Sequence, residues 1–296
     1  MIKFENVVLP SSEQWEAIII GTRNPMNSWD KSDSKFVEEI DFDPSDYPCG
    51  VNLGNNDLDL MRRLAAGGPV HAKYRRMITV IVTITAPLYW WKEFDTYRVG
   101  VEKNSCSTMH KIHAKEFTID DFSHEHLDSV SRDMFMQNDN DQPYFFCSFE
   151  DMLYIQIETL NRARKLYLET KDKKYWWQMI QLLPSSYNQK RTVMLNYEVL
   201  AHIWNDRRRH KLDEWAEHPV NITKLDIQSV GLTKDGLGVR GPIETKQKYF
   251  GFCDWIKTLP YSELITGIEP GKKQVCKDCF GAEMDDCDKC PHKTKK

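Results

Sequence analysis

The apolar positions change period several times along the chain, and each change marks an expected element. MITVIVTIT (77–85) is a β-branched run bounded by Pro87, the composition of a strand buried in a sheet. FEDMLYIQIETLNRARKLYLET carries apolar residues at 149, 153, 157, 160 and 167, a helical period, and KYWWQMIQLLP predicts a shorter helix stopped at Pro184. KRTVMLNYEVLAHIWNDRR sets Val193, Tyr197, Leu200, Ala201 and Trp204 on one stripe, so a helix is expected from about Gln189. Nearer the start, SSEQWEAIIIGTRNP opens with a serine cap candidate, and LDLMRRLAAGG (58–68) reads as a helix ended by Gly67 and Gly68. Residues 26–56, rich in Asp, Ser, Pro, Gly and Asn, predict a long irregular segment.

Helices therefore dominate the second half, around a change of character at residues 216–250, where glycines separate short β-prone pieces such as VNITKLDIQSVGL. FCDWIKTLPYSELI returns to helical amphipathicity. These elements imply an α+β protein with a main domain over 1–215, an inserted β-rich appendage over 216–250, a returning helix over 251–270 and a distinct tail over 271–296.

With 296 residues, 41% hydrophobic and 28% charged, the chain is globular rather than disordered. A net charge of −4 supplies no global field toward nucleic acid or an anionic membrane, which leaves only a local patch for such a role. The first residues hold no apolar stretch long enough for a signal peptide or a membrane span, so a cytoplasmic protein is expected. Its eight cysteines then read as reduced thiols or metal ligands.

Four of those cysteines crowd into the tail. Cys276, Cys279, Cys287 and Cys290 form C-x2-C, seven residues, C-x2-C, a spacing that lets four thiolates converge on one structural Zn²⁺ in a small knuckle. Disulfides or uncoordinated thiols are the alternatives that the expected compartment disfavours. Four protein ligands leave no open position for catalysis. Lys289, His292, Lys293, Lys295 and Lys296 are either a solvated end or a grip on nucleic acid.

The densest chemistry lies after the buried strand. In LYWWKEFDTYRVG, Trp90, Trp91, Phe94 and Tyr97 have partly helical spacing, which suits core packing more often than a cofactor box. Arg98 and the run Asn104, Ser105, Cys106, Ser107, Thr108 and His110 then supply donors for a phosphate or a nucleobase edge. Cys106, with Lys103 and His110 near it in sequence, is a candidate nucleophile, although a free cysteine is also an ordinary small hydrophobe. On the expected later helix, Asn196 and Arg207 stand eleven residues apart, about 20° around the axis, where an arginine suits phosphate or merely favours the helix dipole. His124, Glu125, His126 and Asp128 cluster in FSHEHLDS and read as a solvated loop rather than a metal site.

These motifs resemble those of the flavin-dependent thymidylate synthases over roughly residues 65–215. Leu183-Pro184 is followed by Asn196, His202 and Arg207 at the family's spacing of six and then five. Tyr97-Arg98 stands where the family has His-Arg, Asn104-Ser105-Cys106-Ser107 resembles Asn-Glu-x-Ser with one extra residue before it, and His71 resembles the histidine before the first central strand. The resemblance implies a mixed sheet with long helices, and a homotetramer with sites at subunit interfaces. It places His71, Tyr97, Arg98, Asn196 and His202 near FAD, with Asn104, Ser105, Ser107, His110 and Arg207 lining a deoxyuridylate-type pocket and Arg98, Ser107 and Cys106 nearest the chemistry. It further implies NADPH as reductant and methylenetetrahydrofolate as one-carbon donor to carbon 5 of the pyrimidine, without need of an enzyme cysteine.

Departures stand beside it. Thr96 and Tyr97 replace an arginine and a histidine, and Met109 or His110 occupies an arginine's place, which removes charge-assisted bonds to a nucleotide. Those departures fit either a variant acting on a modified pyrimidine, as a phage that modifies its DNA would need, or a fold that has lost its chemistry and binds nucleotide or nucleic acid.

Overall fold

The computed structural model describes residues 2–36, 50–130, 134–136, 145–218 and 250–268. The zinc tail and nearly all of the appendage, as well as Cys49, lie outside the described residues.

In chain order the elements are β1 (Lys3–Val8), α1 (Ser12–Arg23), β2 (Lys35–Phe36), β3 (Val51–Asn52), α2 (Asn55–Ala66), β4 (Thr79–Pro87), α3 (Leu88–Phe94) and β5 (Glu102–Ser105). There follow β6 (Met134–Met136), β7 (Phe145–Cys147), α4 (Phe149–Thr170), α5 (Lys173–Leu182), β8 (Asn188–Asn196), α6 (Tyr197–Arg207), α7 (Phe252–Lys257) and α8 (Glu263–Thr266). The protein is thus α+β. The chain divides into two compact units, one of Met1–Leu9, Thr79–Leu195 and Arg209–Phe252, the other of Pro10–Ile78, Asn196–Arg208 and Cys253–Lys296.

The first unit is built on a four-stranded sheet in the order β1-β4-β8-β5. β4 is the β-branched run, and Val80, Val82 and Ile84 are fully buried along it. β1 pairs antiparallel with β4, aligning Phe4 with Ile84, and the register shifts between Glu5 and Val8. Behind β4, α3 sends Trp90, Trp91 and Phe94 into the core, so that aromatic stripe is packing. Trp90 stacks on Trp215 at 4.4 Å and on Phe94 at 5.1 Å between centroids, a geometry that adds to the burial each ring already contributes. Gly251 is required where the chain returns to this cluster. A Cβ there would lie 2.4 Å from the Ala216 carbonyl and 2.5 Å from that of Asp213. A second apolar cluster joins Leu153, Ile157, Leu160 and Ala163 of α4 to Met179 of α5 and to Ile112, Phe117 and Phe122. Both helices begin at side-chain caps: Ser148 accepts from the Asp151 N–H while Asp151 accepts from the Ser148 N–H, and Asp172 caps α5.

One expectation is overturned. Residues 189–196 belong to the strand β8, and the helix begins only at Tyr197. Burial alternates along Lys190–Leu195, with Val193 and Leu195 inside and Lys190, Thr192 and Met194 outside. Val193 therefore belongs to a strand face, and the apparent helical stripe combined one strand residue with a true helix.

The second unit is helical. Trp15 of α1, Met61 of α2, Tyr197, Leu200 and Trp204 of α6 and Leu264 of α8 are all buried. The Tyr197 hydroxyl donates to the Pro260 carbonyl at 2.5 Å, and the Tyr261 hydroxyl donates to the Val51 carbonyl and accepts from Leu53 N–H. The α1 cap is the expected serine, Ser11, in a capping box with Gln14. Among its described residues, the segment read as irregular contains a single turn of 3₁₀ helix, Trp29–Lys31, and the short β2–β3 ladder.

Candidate functional site

The residue run singled out in the sequence is presented by the edge of the sheet. α3 ends at Phe94, the chain turns through Gly100 at φ 74°, and β5 pairs antiparallel with β8. Asn104 lies opposite Thr192 and Ser105 opposite Arg191. Beyond the strand the backbone stays clamped, because Cys106 N–H donates to the Lys190 carbonyl and Gln189 Nε2 donates to the Cys106 carbonyl. Ser107 Oγ accepts from His110 N–H at 2.9 Å, which folds 107–110 into a turn.

A fixed backbone with outward side chains suits recognition. Arg98, Asn104, Ser105, Cys106, Ser107 and His110 are all exposed. Cys106 is consequently no buried hydrophobe, and its thiol is open to a ligand. Tyr97 differs: its half-buried ring packs 6.4 Å from Phe94 and 6.3 Å from Trp215, an extension of the aromatic core rather than a free polar group.

Beside this run the structure assembles charges that sequence reading passed over. Arg191 donates to both oxygens of Asp95, at 2.9 and 3.2 Å, and Lys103 pairs with the same carboxylate at 2.6 Å. Arg191 also donates to Gln189 Oε1 and lies 4.3 Å from the Trp91 ring centroid, held by stacking as well as by charge. Burial alone would raise the Asp95 carboxyl, but the bonds from Lys103 and Arg191 outweigh it and hold the group below the ordinary carboxylate range. The signal for Arg191 was the strand alternation of NQKRTV, invisible while that segment read as a helix.

The remaining candidates belong to the second unit. His71 is exposed after α2. Asn196 is the N-cap of α6, its Oδ1 accepting from Val199 N–H at 3.1 Å, so it does not share a helical face with Arg207 as expected. His202 is exposed and lies 3.3 Å from Glu198, whose other oxygen is 3.7 Å from buried Arg75. Arg207 sits half-buried in the last turn of α6, where a cation is favoured. Thus the structure gathers 97–110 around one sheet edge in the first unit and places 71, 196, 202 and 207 in the other.

Among the described residues, no group of three His, Cys, Asp or Glu side chains could hold a metal ion. In FSHEHLDS, the His124 ring contacts the Phe122 carbonyl and His126 pairs with Asp213 at 3.2 Å. No described helix is long and apolar enough to cross a membrane.

No protein-family model and no curated protein matches the chain. Solved structures similar to it include thymidylate synthase X (ThyX) from Helicobacter pylori with FAD and dUMP. That match has 14% identity and a TM-score of 0.46, and covers 88% of this chain and 96% of that one. Another is the UMP/dUMP methylase PolB from Streptomyces cacaoi bound with 5-Br UMP, at 14% identity and a TM-score of 0.40, covering 74% of this chain and 82% of that one. At these scores the likeness assigns neither a family nor an activity to this chain.

Proposed function

We propose that the protein is a flavin-dependent enzyme transferring a one-carbon unit from methylenetetrahydrofolate to carbon 5 of a deoxyuridylate-type pyrimidine nucleotide. The observation that carries this reading is the exposure of Arg98, Asn104, Ser105, Ser107 and His110 on a backbone clamped to β8. Such an arrangement presents amide, hydroxyl, imidazole and guanidinium donors at low reorganisation cost. It fits a nucleotide chemically: Arg98 offers a bidentate fork for phosphate, while Asn104, Ser105 and Ser107 offer both donors and acceptors for a pyrimidine edge. The motif spacing of Asn196, His202 and Arg207 supports the same reading.

In this proposal, following the resemblance, Arg98, Tyr97, Asn196, His202 and His71 are the residues that would hold the flavin. When bound, the flavin supplies the redox step, accepting reducing equivalents from NADPH. Asn104, Ser105, Ser107, His110 and Arg207 orient the nucleotide in the same proposal. The subunits would form a tetramer.

The test is a visible absorption spectrum of protein purified without chelator, repeated after adding FAD. An oxidised flavin band that bleaches with NADPH is the expected result. Failure to bind flavin even when it is supplied would instead favour a protein that keeps a nucleotide surface without the chemistry, the reading to which Tyr97 and Met109 point. Cys106→Ala then separates two roles for the thiol, once a turning-over substrate is in hand. Retained turnover is expected from the resemblance; loss of turnover with flavin binding intact would make Cys106 the nucleophile.

A further inference from the structure

The α4–α5 turn, on the first unit, carries a surface that the proposed nucleotide site leaves unused. Between residues 162 and 177 the sequence holds six cationic side chains and two acidic ones, in a chain whose net charge is −4. The last seven positions, Lys171 to Trp177, set four charged residues directly before three aromatic ones. Lys171 Nζ lies 6.0 Å from the Tyr167 ring centroid, Lys174 Nζ 4.7 Å from that of Tyr175, and Lys173 Nζ 5.9 and 5.8 Å from those of Trp176 and Trp177. Trp177 is 44% exposed, an unusual position for an indole on a helix whose apolar side is already occupied by Met179. Its ring stands edge to face with Trp176 at 4.9 Å, which restrains it.

The surface is tied to the candidate site. Trp176 Nε1 donates to the Met109 carbonyl at 3.0 Å, so the cationic and aromatic turn is continuous with the loop bearing His110 and Lys111, both exposed.

We propose that this turn binds single-stranded nucleic acid, with Trp177 stacking on a base and Lys171, Lys173 and Lys174 meeting phosphates. Two observations select this occupant. Every exposed ring here already has an ammonium beside it, the combination that a strand of alternating phosphates and flat bases complements. A second copy of the chain is a poor partner, because a two-fold interface would bring these lysines toward their own counterparts. A lipid surface is also poorly served, since Trp177 and Leu182 are the only large apolar side chains of α5 that are well exposed.

The experiment titrates the full-length protein into a fluorescein-labelled oligothymidylate and follows anisotropy over a salt series. Trp177→Ala and a double Lys173→Gln, Lys174→Gln variant are run beside the wild type, with circular dichroism confirming that each is folded. Trp177→Ala is expected to weaken binding roughly tenfold. The lysine variant should flatten the log–log salt dependence by about 0.7 for each phosphate that is no longer neutralised. No binding at low salt would overturn the proposal. Binding untouched by both variants would also overturn it and place the nucleic acid elsewhere, the lysine-rich tail included. Preference for anionic vesicles over the oligonucleotide, or an oligomer that dissociates in Trp177→Ala while no oligonucleotide binds, would assign the face to a membrane or to a second copy instead.

Discussion

Asp57 shows how much a single side chain can organise without leaving a trace in sequence pattern. Its carboxylate is 1% exposed, yet it is fully engaged. Arg23 Nε donates to Oδ1 at 2.5 Å, while the Ser32 and Ser34 hydroxyls and the Asp33 and Ser34 N–H groups donate to Oδ2. Burial raises the carboxyl, but the bonds from Ser34, Ser32 and Arg23 outweigh it and leave the group below its ordinary value. A folded-state value depressed below the unfolded one gives stability that is present above pH ~4 and lost as pH falls through the folded value. Asp57→Asn keeps the shape but leaves buried Arg23 without its counter-charge, a loss of about 3–5 kcal/mol. Urea unfolding at neutral and acid pH should show lower stability in the variant and a smaller difference between the two conditions. An unchanged midpoint, or an unchanged difference, would show that the pair contributes little. None of this was legible, because Arg23 and Asp57 are brought together by tertiary packing across a segment that pattern could describe only as irregular. The Asp95, Lys103 and Arg191 trio was hidden for a related reason: its members come from a turn and two strands.

At the scale of elements, sequence read best where one period held without interruption. The full length of α4 was legible because its apolar spacing holds for 22 residues. β4 was equally clear, since β-branched residues run without interruption. Residues 189–207 failed because a strand and a helix follow each other with no Gly or Pro between them, and the boundary is marked only by Asn196. That residue now carries two competing roles, a helix cap seen in the structure and a flavin contact proposed from the resemblance. The two separate cleanly by substitution. Asn196→Ala should cost about 1 kcal/mol through loss of the bond to Val199 N–H, read from chemical denaturation. Asn196→Ser should restore most of that stability, since serine caps as well as asparagine. If flavin affinity falls in both variants while stability recovers only with serine, the amide contacts the cofactor. Recovery of both with serine would leave Asn196 as a cap alone.

The whole molecule divides in a way that linear reading cannot reach, since each compact unit draws on segments far apart in sequence. The α+β class was legible from the mixture of periods, whereas the interleaving depends on which strands pair, and no local pattern encodes that. The tail poses the opposite case. Its expected metal site is wholly local, with four cysteines inside 15 residues, and lies outside both the described residues and the span of the resemblance. Metal analysis of protein purified without chelator should therefore find one zinc per chain, and Cys276→Ser should lower that content. Four thiolates complete a tetrahedral shell and leave no coordination position for substrate or flavin. Removing zinc with a strong chelator is accordingly expected to unfold the tail while leaving the flavin band and its bleaching by NADPH unchanged. Loss of the flavin band together with the metal would tie the tail to the nucleotide site and end its description as an independent staple.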